Sequence, residues 1–440
     1  DQDHTAYRRP DRLPRSGHCP RRIDPSNGGT ILMSIADLTR ALRKHPQVSE
    51  FVVREVREQR VFLEKTSSDR RGSRSVYSLE ARIFVDARQG RGDSRLRMRD
   101  TGRARIKDAL DQSVRRAAAN IGPSWKLPAP AAPARVHVAD DSLFSNPSAT
   151  LAELATNLDQ GVPFQICATT RQLRCVTSAG FDNRYRETTV GLGPPPGFAG
   201  TREFRPTSAR RVRDLVPKIE ARDASPRTPV PAGTYDLVVA SSAFGEDPRQ
   251  SIFSPFIELG DAERYRQGLG RIREGQKVVS DGFSLRSDGA IDYAPLSKPF
   301  DADGGATRRY PLIESGVLAG LALDARAAGL LGREPNGGIG NLIVETPTVS
   351  SAELLTSSGR PILIVDDAAW IRTQGGTLSI GIRRARLSHR PKSEQVFAGG
   401  VIRTDALELF ARPIGSHRRH DRGWVRGPAL LRLGTIENTA

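Results

Sequence analysis

"FDADGGATRRYPLIESGVLAGLALDARAAG", residues 300–329, decides how the C-terminal half of this 440-residue chain is read. It opens on two carboxylates, breaks at Gly304-Gly305, passes Arg308-Arg309 and ends in small apolar residues. Asp301 and Asp303 fall on one side of an extended strand by alternation, where they could share a cation or work as acid and base. The alternative is a structural frame. Asp303 ahead of two glycines caps a tight turn through its own backbone, and Glu314-Ser315-Gly316 folds "YPLI" back on "VLAGLAL" as a hairpin whose glycine accepts positive φ. The frame is the simpler reading, so no catalytic, cofactor-binding or metal residue is assigned to this stretch.

The same turn-and-strand grammar continues on both sides. "TYDLVVASSA", "QKVVSDGFSLRSDG", "PILIVDDAAWIRTQGGTLSIGIRRARLSH" and "VFAGGVIRTDALELF" read as strands between Gly-rich turns. Upstream, "SEFVVREVREQRVFLEK" and "RSVYSLEARIFVDARQGRGDSRLRM" alternate apolar and charged residues as half-buried antiparallel strands do. "MSIADLTRALRKHP" places Ile35, Leu38 and Leu42 on one helical face with Ser34 as N-cap and Pro46 as stop. "TGRARIKDALDQSVRRAAANIG" is a second amphipathic helix, with Ile106, Leu110, Val114 and Ala117 aligned and Gly122-Pro123 ending it. "PSWKLPAPAAPAR", 123–135, reads as a Pro/Ala linker or surface crossing. Beyond it come the helix "SATLAELATNLDQG" and the strand pair "PFQICATTRQLRCVTSAG" and "RYRETTVGL". The fold class is therefore α+β: an N-terminal α+β domain over 33–222 and a C-terminal, mostly antiparallel β domain over 223–440. Residues 1–32 lack any apolar period and the apolar core of a signal peptide, so they are expected to be an unfolded extension, with Met33 as the true start.

Composition narrows the classes. With 37% apolar and 27% charged residues, 41 Gly and 30 Pro, the chain is that of a globular, somewhat loop-rich protein. Its most apolar stretch, Val317 to Leu331, is broken by Asp324 and Arg326 and is too short for a bilayer, so no membrane association is expected. Cys19, Cys167 and Cys175 show no C-x-x-C spacing, which indicates neither a disulfide framework nor a thiolate zinc site and fits a reducing cytoplasm. The net charge of +17 invites a nucleic-acid partner, but the arginines are spread along the whole chain, as on a solvated basic surface.

At residues 300–332, "FDADGGATRRYPLIESGVLAGLALDARAAGLLG", the chain resembles the signature of the TldD/PmbA family of paired metallopeptidase subunits. The order that follows is similar too: "GIGNLIVETPTVSSAELL" (338–355), "GGTLSIGIRRARL" (375–387) and "VFAGGVIRTDALELF" (396–410) each resemble a family motif. The resemblance covers 235–440 closely and 33–230 only in its pattern of strands and helices. It implies one of two kinds of subunit. The catalytic kind carries an H-E-x-x-x-H helix, two histidines holding zinc and a glutamate serving as base; the TldE or PmbA kind lacks it.

None of the seven histidines, His4, His18, His45, His137, His389, His417 and His420, falls in "GEDPRQSIFSPFIELGDAERYR" (245–266), where the resemblance would place that helix, and Pro248 and Pro255 would interrupt a helix there. His417 and His420 could share a metal if helical, but their arginine-rich surroundings favour a solvated loop. "GRIREGQK" (270–277) departs from a phosphate loop, because Gln276 separates Gly275 from Lys277 and no Ser or Thr follows. The resemblance thus implies a non-catalytic, TldE-like subunit. It would hold no cofactor of its own, zinc being expected in a TldD-like catalytic partner, and the pair would cleave unstructured peptides in a shared chamber where the peptide is held as an added strand. The alternative is an independent basic binding protein for acidic peptides or nucleic acid.

Overall fold

The computed structural model describes residues 33–66, 69–98, 106–156, 158, 163–193, 228–245, 247–269, 272–356, 359–388 and 394–438. The expected extension 1–32 and the expected boundary between 222 and 223 lie outside the described residues. The fold is α+β, built on three sheets.

The N-terminal sheet has six strands: β1 (Glu50–Lys65), β2 (Arg70–Ala87), β3 (Gly90–Met98), β4 (Ile121–Gly122), β5 (Phe164–Thr177) and β6 (Asp182–Gly193). Their order is β4-β3-β2-β1-β5-β6, antiparallel throughout. Alternation assigns the faces of β1 and β2. Phe51, Val53, Ala81, Ile83 and Val85 pack under helices α1 (Ile35–Lys44) and α2 (Ile106–Ala119), while Val52 and Phe84 point the other way into a separate cluster. Helix α1 starts at a capping box, in which Ser34 Oγ accepts from the Asp37 amide and the Asp37 carboxylate reaches back to Ser34. Helix α2 ends at Ala119, before the Gly122-Pro123 expected to stop it, because Ile121–Gly122 leaves the helix to pair with β3. Gly92 lies under the Ala117 carbonyl, where a Cβ would collide, and so lets the last turn of α2 rest on β3. Two further helices, α3 (Asp141–Ser145) and α4 (Pro147–Thr156), cover the far ends of β1, β5 and β6 through Leu143, Leu151 and Leu154.

The C-terminal strands are β7 (Gly233–Ala240), β8 (Ser284–Asp288), β9 (Arg309–Glu314), β10 (Val317–Leu318), β11 (Asn341–Glu345), β12 (Thr348–Val349), β13 (Ile362–Gln374), β14 (Thr377–Ser388), β15 (Glu394–Phe397), β16 (Val401–Asp405), β17 (Ile414–Ser416), β18 (Arg419–Arg422), β19 (Val425–Pro428) and β20 (Leu430–Asn438). They form a six-stranded sheet, β10-β9-β8-β11-β19-β18, and an eight-stranded one, β12-β17-β20-β7-β13-β14-β15 with β16 on β14. Pairing is mostly antiparallel, with parallel contacts at β7–β13, β11–β19 and β12–β17. Between the two sheets lies the largest core, centred on Phe244, Phe253, Phe256, Phe283 and Phe410. The expected hairpin is present: Ser315 and Gly316 at φ 48° and 78° join β9 to β10 in the doubly left-handed turn that matches strand twist. Beyond it only Val317–Leu318 of "VLAGLAL" is strand.

Residues 123–135 are more than a linker. Trp125 and Leu127 are buried with Phe84, Phe181, Phe300 and Ala325, forming an apolar seam that joins the N-terminal sheet to the C-terminal half. The Leu127 amide donates to Glu50 at 3.0 Å and the Ala134 amide to the Pro299 carbonyl at 2.8 Å. Proline-rich composition forbids helix here but does not stop an extended segment from burying its two large apolar side chains. Among the described residues no helix is long and apolar enough to cross a membrane.

Candidate functional site

The turn at residues 300–306 sits on that seam. Phe300 packs against Phe181 and Tyr185 with ring centroids 5.0 and 5.1 Å away, and Phe300 and Ala306 close the turn by an isolated bridge. Asp301, not Asp303, caps it: Asp301 Oδ1 accepts from the Asp303 amide at 2.9 Å and the Gly305 amide at 2.8 Å. The two residues are in a turn rather than an extended strand, so their side chains have separate partners. Asp303 reaches across the seam to the N-terminal sheet, where Arg82 Nη1 donates to it at 3.0 Å while Arg82 Nη2 donates to Asp93 at 2.6 Å.

Around this pair lies a cavity of about 540 Å³. One wall is the outer face of the N-terminal sheet, where the registers Arg54↔Glu80, Val52↔Arg82 and Arg82↔Arg95 bring three arginines together. The other wall comes from Asp247–Arg249, Leu296, Lys298, Asp301–Asp303, Asp324 and Gly337–Ile339. Burial, with the charge of Asp303 second, pushes the Asp301 carboxyl up to about 6. Burial likewise raises Asp303 against the pull of Arg82, and it lowers Lys298 against the pull of Asp301. Asp301 Oδ2 is buried with no hydrogen-bond partner. Asp324 lies at the rim as N-cap of helix Ala325–Leu331, accepting from the Ala327 amide at 2.8 Å.

The segment where the resemblance would put the zinc helix forms three short pieces, a 3-10 turn at Pro248–Gln250 and helices Ser254–Leu259 and Ala262–Arg266. Pro248 and Pro255 sit in first turns, where a proline lacks only an amide that would be unpaired anyway. Phe253 and Phe256 are fully buried, with Phe256 5.0 Å from Phe410 and 5.1 Å from Phe283, centroid to centroid. Apolar rings occupy the inward face and no histidine or cysteine is present, so these residues do not fit a zinc ion. Among the described residues no group of three His, Cys, Asp or Glu is placed to hold a metal.

The histidines are dispersed. His45 meets Asp111 at 3.1 Å and His137 stacks on Tyr293, while His417 and His420 lie in a bend and in β18, not on a helix. His4, His18 and His389 lie outside the described residues, as do Gly270 and Arg271 of the phosphate-loop-like stretch, whose Gly275 lies in a turn. Cys167 and Cys175 are buried on β5 and form no disulfide, and burial pushes the Cys175 thiol up to about 12; Cys19 lies outside the described residues.

The two-sheet C-terminal half has a known counterpart. Residues 232–435 match the family model described as PmbA/TldA metallopeptidase C-terminal domain. That match, over a little less than half of the chain, makes its C-terminal half similar to the C-terminal domain of the TldD/PmbA family, which is metallopeptidase-related. An uncharacterized protein of Methanocaldococcus jannaschii is 28% identical over 196 residues, 42% of this chain; the match spans 46% of that relative's length. The fold is shared with TldE from Thermococcus kodakarensis (TM-score 0.66, 15% identity, 92% of this chain and 99% of that one). It is shared also with a candidate modulator of DNA gyrase from Bacteroides thetaiotaomicron (TM-score 0.65, 17% identity, 92% of this chain and 99% of that one).

Proposed function

We infer that this chain is the zinc-free, TldE-like subunit of a two-subunit peptidase, contributing fold and peptide-holding surface while a TldD-like partner supplies the metal and cleaves unstructured peptides. The observation that carries the reading is the segment 245–266: its inward positions are Phe253, Phe256 and Ile257, sealed into the main core, where the catalytic subunit would need two histidines and a glutamate. Without a bound metal or an activated nucleophile beside a base, an amide meets no strong attacking group, so the role left to the fold is assembly and positioning. The likeness to TldE across nearly the whole fold supports the same side of the pair. A cytoplasmic setting agrees with the two buried, unbridged cysteines.

Co-expression with a homologue that carries H-E-x-x-x-H tests the pairing. One peak holding both chains at equal amounts in size-exclusion chromatography is expected; two separate peaks across micromolar concentrations would count against it.

A further inference from the structure

In the seam cavity every carboxylate has a hydrogen-bonded oxygen, although Asp301 Oδ2 has no partner, while several cations make no hydrogen bond to a carboxylate. Arg82 holds Asp303 at 3.0 Å, the amides of residues 303 and 305 hold Asp301 Oδ1, and Arg97 holds Glu80 at 3.3 Å. Asp247 accepts from the Arg249 and Gln250 amides at 2.8 and 3.1 Å, and Asp324 caps a helix. Among the described residues, the side chains of Arg54, Arg95, Arg249 and Lys298 line the same cavity with no hydrogen bond or ion pair to any carboxylate. Arg54 and Lys298 are half-buried; the charge of Asp301 draws on Lys298 without a hydrogen bond, and Arg54 repels it. Like charges gathered in a concave, partly dry site are stabilised by an anion that bridges them.

We propose that the seam cavity is a carboxylate site for an extended peptide, with Arg54 and Lys298 as the inner anion-binding groups and Arg95 and Arg249 at its exposed mouth. The carboxylate is either the peptide's C-terminal group or an Asp or Glu side chain. A singly charged group suits the site better than phosphate, because Asp301 and Asp303 stand in the same wall and repel a dianion more strongly. Val52, Leu296 and Ile339 supply apolar surface for the rest of the ligand, and about 540 Å³ lies within the ordinary range of small-molecule sites. The proposal rests on the reading that this chain handles peptides, but it places binding on this subunit alone.

The test is fluorescence anisotropy on the full chain with a dye-labelled pentapeptide in three forms: free C-terminus without acidic residues, the same sequence amidated, and the amidated sequence with one central Glu. The amidated neutral form is expected to bind at least about tenfold more weakly than one of the carboxylate forms, and whichever of those binds identifies the source. Arg54→Gln and Lys298→Met are each expected to weaken that binding about tenfold. The double variant Arg95→Gln with Arg249→Gln, whose exposed side chains leave the seam packing intact, is expected to weaken it about threefold and flatten its salt dependence; it serves if circular dichroism shows that an inner variant fails to fold. Equal binding of the amidated neutral peptide, no binding of any form, unchanged affinity in the rim double variant, or inorganic phosphate displacing the peptide better than acetate would each overturn the proposal. Because the readout is direct binding by one chain, its failure leaves subunit pairing standing, and a failure of pairing leaves this result standing.

Discussion

Replacing Asp301 by Asn is expected to stabilise the fold at neutral pH. Asn keeps an oxygen where Oδ1 accepts the amides of Asp303 at 2.9 Å and Gly305 at 2.8 Å, and it removes a charge from a residue only 6% exposed. Burial first, then the charge of Asp303, raise this carboxyl from 3.8 to about 6, while the two amides and Lys298 oppose the rise. A rise of about two units corresponds to about 3 kcal/mol. Between about pH 4 and pH 6 the folded chain keeps a proton here that the unfolded chain has lost. The group's favourable contribution is therefore complete below pH 4 and is lost as pH rises through about 6. Asn does not titrate and escapes that loss, but it forgoes the attraction to Lys298, which leaves a net gain of about 1–2 kcal/mol near pH 7.5. At about 2 °C per kcal/mol for a chain of this size, that is a rise of a few degrees in Tm, shrinking towards zero near pH 4. Thermal unfolding of both proteins near pH 4, 5.5 and 7.5 measures it. A variant less stable than the parent near pH 7.5, or a difference that does not change with pH, would refute the reasoning.

Arg82→Met leaves Asp303 and Asp93 without their shared cation, and it is expected to cost about 3–5 kcal/mol by urea unfolding, part of which Asp303→Asn restores in the double variant. An unchanged midpoint would mean that the seam does not depend on the pair. Gly316→Ala puts a methyl group at φ 78° and 2.5 Å from the carbonyl oxygens of Val279 and Ser280, so a loss of about 2 kcal/mol or more is expected, whereas Ser315→Gly should be tolerated. Metal analysis of the dialysed chain alone is expected to find far less than one zinc per molecule; about one tightly held zinc would contradict the reading of segment 245–266.

How far the sequence revealed the fold depended on the range of the interactions. Ser34 and Asp37 cap α1 from three residues apart, and alternation along β1 and β2 fixes which side chains face the helices, so both were legible. The turn at Ser315-Gly316 was equally local. The cap at 300–306 was read two positions too late, because two Asp residues precede the glycines and only the path of the chain decides which of them meets two free amides. Arg82 and Asp303 are 221 positions apart, and no local period announces such a pair. The sequence did carry a weaker sign: Val52 and Arg54, like Arg82 and Phe84, lie on the face of their strands opposite the helix-covered one, which implied that some apolar and acidic surface covers it. Trp125 and Leu127 within "PSWKLPAPAAPAR" were the matching half of that sign, obscured by the prolines around them.

The most direct test of the central claim is a chelator-sensitive peptidase assay on each size-exclusion fraction from co-expression with the zinc-bearing homologue, using an unfolded substrate such as casein. Cleavage is predicted in the fraction that holds both chains, abolished by chelation and restored by zinc, with none from this chain alone. Cleavage by this chain alone that survives repurification, or a homologue fully active and monomeric without it, would contradict the account.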